Sequence, residues 1–307
     1  MVRVEFSRIR YFAYLDKDEE NSRDGYFVRK SVDEKEKTEG TAASVWTKDN
    51  PKYKPGEPML SEEDLNVVRP SSLTLHNHYM VQSACGVENI FVSYQECHFG
   101  SDTDTFPVQF CDLYDLFNLD ALDISLLRCF SLKMYEPAKD MGIDVGFLDP
   151  QIFSATMIQC NSNTVIIAIA KPMNHDFVVG AYNTGGHWVL VVIVMKWNIV
   201  FYLDFAKQVP KQKFQDVQQV INCALGQYML TKGETAKSKS TPKLTHKTDF
   251  KLHQISKDSY VMIREMISNF IESDVIPPEG RYYVQGGYQI LAGSRMQPGN
   301  RTVTYNN

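Results

Sequence analysis

The chain has 307 residues, of which 43% are apolar, 22% charged and 12% aromatic. That balance is too hydrophobic for wholesale disorder and too polar for a membrane protein, so the expectation is one sizeable globular domain with room for an extra arm. Thirty-two Lys and Arg against 37 Asp and Glu leave a net charge of −5, which disfavours non-specific binding of nucleic acid.

The longest unbroken apolar run, Trp188 to Met195, is far short of the roughly 20 residues that cross a bilayer. The opening Met-Val-Arg-Val-Glu-Phe has no secretory h-region, so an intracellular protein with no membrane partner is expected. Cys85, Cys97, Cys111, Cys129, Cys160 and Cys223 lie far apart, without a CxxC pair or the His spacing of a structural zinc site. They are expected to be reduced thiols, mostly in the core. His76 and His78 could share a strand face, but no third ligand accompanies them, so no metal and no cofactor are expected.

Residues 1–70 mix an aromatic opening (Tyr11-Phe12-Ala13-Tyr14), charge runs and a Pro-rich stretch, and read as a weakly ordered arm. A single packed domain would occupy 71–275 and a loose tail 276–307. Within the domain, order tightens near Leu73 to Met80, and Asn89 to Tyr94 predicts a strand. Leu113, Leu116 and Phe117 share one helical face; Asp123 is placed to cap a second helix that carries Ile124, Leu127 and Phe130. Val145 to Leu148 reads as a strand stopped by Asp149-Pro150, because the residue before proline avoids helix. Apolar segments follow at Thr164 to Ala170 and Phe177 to Val179. Phe214, Val217, Val220, Ile221, Ala224, Leu225 and Tyr228 predict an amphipathic helix over Lys213 to Leu230. Lys237 to Lys243 is a basic loop, part of a local basic patch running to Lys247. Asp258 or Ser259 could cap a last helix with Met262, Met266, Ile267 and Phe270 inward.

The most informative segment is Asn183-Thr184-Gly185-Gly186-His187-Trp188-Val189-Leu190-Val191-Val192-Ile193-Val194-Met195, followed by Ile199-Val200-Phe201-Tyr202-Leu203-Asp204. Two β-branched runs across a short polar turn describe a central hairpin, buried on both faces. Such a hairpin sets His187, at the start of one strand, beside Asp204, at the end of the next. A carboxylate that fixes the imidazole tautomer makes the ring a competent base, and Gly185-Gly186 leaves room for a substrate backbone. A surface His beside a surface Asp has the same composition.

These two blocks resemble the His-Trp and Leu-Asp signatures of the ubiquitin-like-protein-specific (SUMO-type) cysteine peptidases, the clan of adenain. Asp112 to Phe117, Leu122 to Phe130, Gly146 to Pro150 and Leu244 to Phe250 resemble the plant, transposon-associated branch. The resemblance implies a papain-like α+β fold with a central mixed sheet and flanking helices. It also implies that His187 and Asp204 would activate a Cys at a helix N-terminus, with Gln254 donating to the oxyanion. Trp188 would wall a narrow tunnel for a Gly-Gly tail, the partner being a ubiquitin-like modifier or its conjugates, in the nucleus.

The chain departs from the pattern at the nucleophile. Where Gln, a few residues and then Asp-Cys-Gly are called for, it has Gln254-Ile255-Ser256-Lys257-Asp258-Ser259-Tyr260. Alignment on the Asp puts Ser259 in the nucleophile position; alignment without gaps on Arg264 and Met266 puts Asp258 there. A hydroxyl is far less acidic than a thiol, so activity should be impaired or lost, leaving a pseudo-protease that binds without cutting. Gln82-Ser83-Ala84-Cys85-Gly86, with Asn198 later in the chain, echoes a papain order only loosely, and Cys85 is expected to be a small buried thiol.

Overall fold

The computed structural model describes residues 53–100, 104–204, 214–232, 243–248 and 257–290. Expectations about the first 52 residues, the basic stretch 237–242, Gln254 and the last 17 residues fall outside them. In chain order the elements are α1 (Glu62–Leu65), α2 (Pro70–Ala84), β1 (Val87–Tyr94), α3 (Glu96–Phe99), β2 (Asp104–Gln109), α4 (Phe110–Phe117), α5 (Ile124–Asp140) and β3 (Val145–Phe147). Then follow α6 (Ala155–Ala170), β4 (Phe177–Asn183), β5 (Trp188–Val194), β6 (Ile199–Leu203), α7 (Gln215–Thr231), β7 (Thr245–Lys247), α8 (Lys257–Phe270) and β8 (Tyr288–Ile290).

The chain is α+β, with a central mixed sheet and flanking helices, as its sequence predicts. Five strands run in the order β3-β4-β5-β6-β7, and β2-β1-β8 form a smaller antiparallel sheet. In the large sheet the inner pairs β4–β5 and β5–β6 are antiparallel, and the outer pairs β3–β4 and β6–β7 are parallel. Val189 to Val194 of β5 are all at most 1% exposed. Their alternation divides them: Leu190, Val192 and Val194 join one apolar core, and Val189, Val191 and Ile193 the other. Each such side chain contributes about 1.5–3 kcal/mol of transfer free energy, which is why the middle strand reads as one unbroken apolar run. The first core also holds residues of α2, α4, α5 and α8, and the second holds residues of α6 and α7.

Local signals account for the helix starts. Asp123 caps α5 by accepting from Ser125 N, and Ser154 caps α6 by accepting from Met157 N. The apolar segment at Thr164 to Ala170 is only the second half of α6. Asn161 breaks the helix with φ −152° and ψ 64°, and its side chain accepts from Thr164 N, which hides the first half from any periodicity. Beyond β3, Asp149 pairs with Arg128 of α5 at 2.9 Å, both side chains only 5% exposed. The guanidinium lies over the rings of Phe106, Tyr94 and Phe99. Burial outweighs the cation and holds the Asp149 carboxyl above the usual carboxylate range. Gly146 is needed in β3 because a Cβ there would lie 2.5 Å from Pro172 Cβ.

Four expectations are corrected. The packed body is wider than 71–275: Met59 and Leu60 are buried, and the segment expected as a loose tail docks through Tyr282, 3% exposed, and pairs β8 with β1. Aromatic burial and a free strand edge outweigh its Gly-rich composition. Residues 73–80 belong to a helix, so His76 and His78 share no strand face; among the described residues no group of three metal-ligating side chains forms. Of the cysteines only Cys129 is buried; Cys85, at the exposed C-terminal end of α2, is not a core thiol. Finally, the inward face of α8 is Ile263, Ile267 and Phe270, whereas Met262 is 36% exposed, one residue off that stripe.

The short edge strand β7 is held by a histidine clamp. Asn222 Oδ1 accepts from Leu244 N at 3.1 Å, which turns the amide nitrogen toward His246 Nε2 at 3.1 Å. His246 Nδ1 then carries the proton and donates to the Tyr202 hydroxyl at 3.0 Å. The clamp needs a neutral ring, and burial lowers the pKa of His246, as it does for His76, His78 and His98. With these pKa values depressed in the folded chain, the unfolded chain takes up protons first. Stability therefore falls as pH drops through about 6.5 and below. Urea midpoints should decrease from pH 7.5 to pH 5.5, and His246→Gln should remove part of that decrease. An unchanged pH dependence in the variant would contradict the clamp.

Candidate functional site

The β5–β6 register carries His187 and Asp204 to one rim of the large sheet. Leu190 pairs with Leu203, and the two residues of interest lie just outside the paired segments. His187 Nε2 lies 3.2 Å from Asp204 Oδ1. The Asp204 side chain is 1% exposed and that of His187 is 15% exposed, so the carboxylate is sunk beneath an imidazole that still reaches solvent. A carboxylate only accepts, so Nε2 carries the proton in this contact.

The turn before β5 is built by its polar residues. Thr184 N donates to His187 O at 3.0 Å, and Gly185 N donates to Asn183 Oδ1 at 2.9 Å. Gly185 has φ +94°, a conformation that suits glycine. Both Gly185 and Gly186 are exposed, with nothing within 4 Å of the place a Cβ would take, so the approach to His187 from this side is open. The Thr184 hydroxyl lies 3.1 Å from His187 Nδ1. Both ring nitrogens thus have partners within the chain. Trp188, the next residue, is half-buried and packs against the first core.

Asp258, exposed, and Ser259, half-buried, lie inside the first turn of α8 rather than at its cap, because the helix begins at Lys257. Tyr260, the next residue, belongs to the same apolar core as Leu190, Val192 and Leu203 of the hairpin. Gln254 lies outside the described residues. The papain-order alternative is overturned: Asn198 sits in the turn that joins β5 to β6, at the opposite end of the hairpin from His187, a strand length of about 20 Å away.

Two residues that position α8 escaped the sequence reading. The Glu265 carboxylate accepts from Ser71 N at 2.9 Å, Ser72 N at 3.1 Å and the Ser72 hydroxyl at 2.8 Å. It supplies, from across the molecule, the anion at the N-terminus of α2, whose own first turn has no acidic residue and whose N-cap makes no side-chain bond. Arg264 Nη1 donates to Phe117 O at 2.9 Å, placing a cation at the C-terminal end of α4. Neighbours in sequence, these two side chains lock α8 to two helix termini of opposite polarity. A charged pair in a surface-like pattern gives no local signal of such long-range partners.

No family model matches the chain, and no curated protein matches it. Among solved structures it is similar to the SUMO protease Ulp1 with its catalytic cysteine oxidised to a sulfenic acid. The identity is 12% and the TM-score 0.40, over 69% of this chain and 95% of that one. It is also similar to the C-terminal Ulp1 protease domain in complex with Smt3, the yeast ortholog of SUMO, at 13% identity and TM-score 0.40, over 69% of this chain and 96% of that one.

Removing the Glu265 carboxylate leaves three donors at the start of α2 without their acceptor, an arrangement that costs about 1–3 kcal/mol. Glu265→Ala should therefore lower the free energy of unfolding by that amount in urea titrations. A variant as stable as the wild type would show that the Glu265 contacts do not hold α8 to α2.

Proposed function

We propose that this chain carries a SUMO-protease-like domain of the transposon-associated kind. It keeps the base–acid pair and docking rim of a cysteine peptidase but lacks the thiol, and so captures a ubiquitin-like modifier or its conjugates without cutting after Gly-Gly. The observation that carries the reading is the His187–Asp204 contact at the hairpin rim, with Trp188 next in sequence and an open glycine approach in front. A histidine whose Nε2 faces a buried carboxylate is oriented as a general base.

The nucleophile half does not match. Position 258 is a carboxylate and position 259 a hydroxyl, and neither provides the low-pKa sulfur that such a base serves. The Nδ1 nitrogen, which would take a proton from an attacking group, already has the Thr184 hydroxyl at 3.1 Å. A half-buried indole beside an open, exposed turn suits capture of a thin Gly-Gly tail, since an aromatic wall passes glycine and rejects larger side chains. The same reading puts the protein where such modifiers act, inside the cell and in the nucleus, with protein rather than nucleic acid as its partner.

Calorimetric titration with SUMO and with ubiquitin, each ending in a free Gly-Gly tail, tests the reading. Saturable binding to one of them is expected, weakened by about tenfold or more in Trp188→Ala, as for the loss of an aromatic anchor. A modifier carrying a C-terminal electrophile should form no covalent adduct. Absence of binding to either would overturn the docking role. An adduct that disappears in His187→Ala would overturn the claim that the domain is inert.

A further inference from the structure

The Thr184 hydroxyl is placed to serve His187 in either protonation state. Its oxygen lies 3.1 Å from His187 Nδ1, 3.0 Å from the His187 carbonyl oxygen, and accepts from His187 N at 3.3 Å. On the far side of the ring, Nε2 faces Asp204 Oδ1 at 3.2 Å, which assigns the ring's first proton to Nε2. In the neutral ring Nδ1 is therefore a lone pair, and the Thr184 O–H donates to it. When the ring is charged, Nδ1–H donates to Thr184 Oγ1, and the hydroxyl hydrogen turns to the His187 carbonyl, already within hydrogen-bond distance. Only a rotation about the C–O bond separates the two arrangements, so no heavy atom has to move.

We propose that Thr184 is a positioning residue that holds Nδ1 of His187 in both protonation states, completing a hydroxyl–imidazole–carboxylate relay within one hairpin rim. The proposal rests on the reading of His187 and Asp204 as a base–acid pair and deepens it. The relay accounts for how the ring keeps one orientation beside the exposed Gly185 and Gly186. It also gives the turn sequence a physical purpose: Asn183 fixes Gly185 N, Gly185 provides the positive φ, and the chain reverses so that Thr184 Oγ1 meets the imidazole three residues on. A valine has the same shape without the hydroxyl, and a serine has the hydroxyl without the methyl group.

Nitrogen-15 NMR of the imidazole, in the full chain at a pH where the ring is neutral, tests the relay. In the wild type the Nε2–H tautomer should dominate, with the Nδ1 resonance at the position of a hydrogen-bonded acceptor. Thr184→Val should shift the Nδ1 resonance downfield, toward an unbonded acceptor, and Thr184→Ser should restore the wild-type position. A wild-type signal at the unbonded position, a dominant Nδ1–H tautomer, or no shift in Thr184→Val would each overturn the proposal. Should the valine variant fail to fold, the wild-type and serine signals still decide. None of these signals depends on a bound modifier. Lost modifier binding with the resonances as expected would count against the proposed function alone, and unshifted resonances with binding intact would count against the relay alone.

Discussion

The site depends on the pairing register of β5 with β6. Leu190 lies opposite Leu203, and continuing that register one residue sets Asp204 opposite Val189, a diagonal step from His187 and on the same face. A slip of one residue would send the two side chains to opposite faces of the sheet. What forbids the slip is the burial of β5 on both sides. Every side chain from Val189 to Val194 has a place in one core or the other, so moving the strand would misplace all of them together. The polar contact at the rim is held by apolar packing far more than by its own attraction.

α8, which carries positions 258 and 259, is held by different means. α8 is fixed by ionic and hydrogen-bonding contacts with the ends of α2 and α4, made by Glu265 and Arg264, and by the buried stripe Ile263, Ile267 and Phe270. None of these contacts involves position 258 or 259. A thiol can therefore be absent from the first turn while the helix keeps its place. The same separation leaves the His187–Asp204 contact at the hairpin rim independent of α8's first turn, because a fold's stability and its chemistry reside in different residues.

Elements whose stability is local were legible in the sequence. The β-branched runs of β5 and β6, the helical stripe of α7, and Asp123 as the cap of α5 all follow from periodicity and capping rules that act over a few residues. So does the proximity of His187 and Asp204, which is a consequence of any hairpin closed between them. Features set by distant partners were not legible. β8 pairs with β1 across nearly the whole domain, and its Gly-rich surroundings read as tail. β2 contains Pro107, which demotes a strand in a sequence reading but is tolerated at the sheet edge it occupies. The exposure of Cys85 and the inward turn of Ile263 in place of Met262 depend on where each helix starts, a detail that periodicity leaves uncertain by a residue or two.

Hydrogen exchange of the chain with and without a Gly-Gly-terminated SUMO-type modifier tests the central claim most directly. The account predicts protection confined to the rim, in residues 184–190. Protection remote from that rim, or none at all, would contradict it.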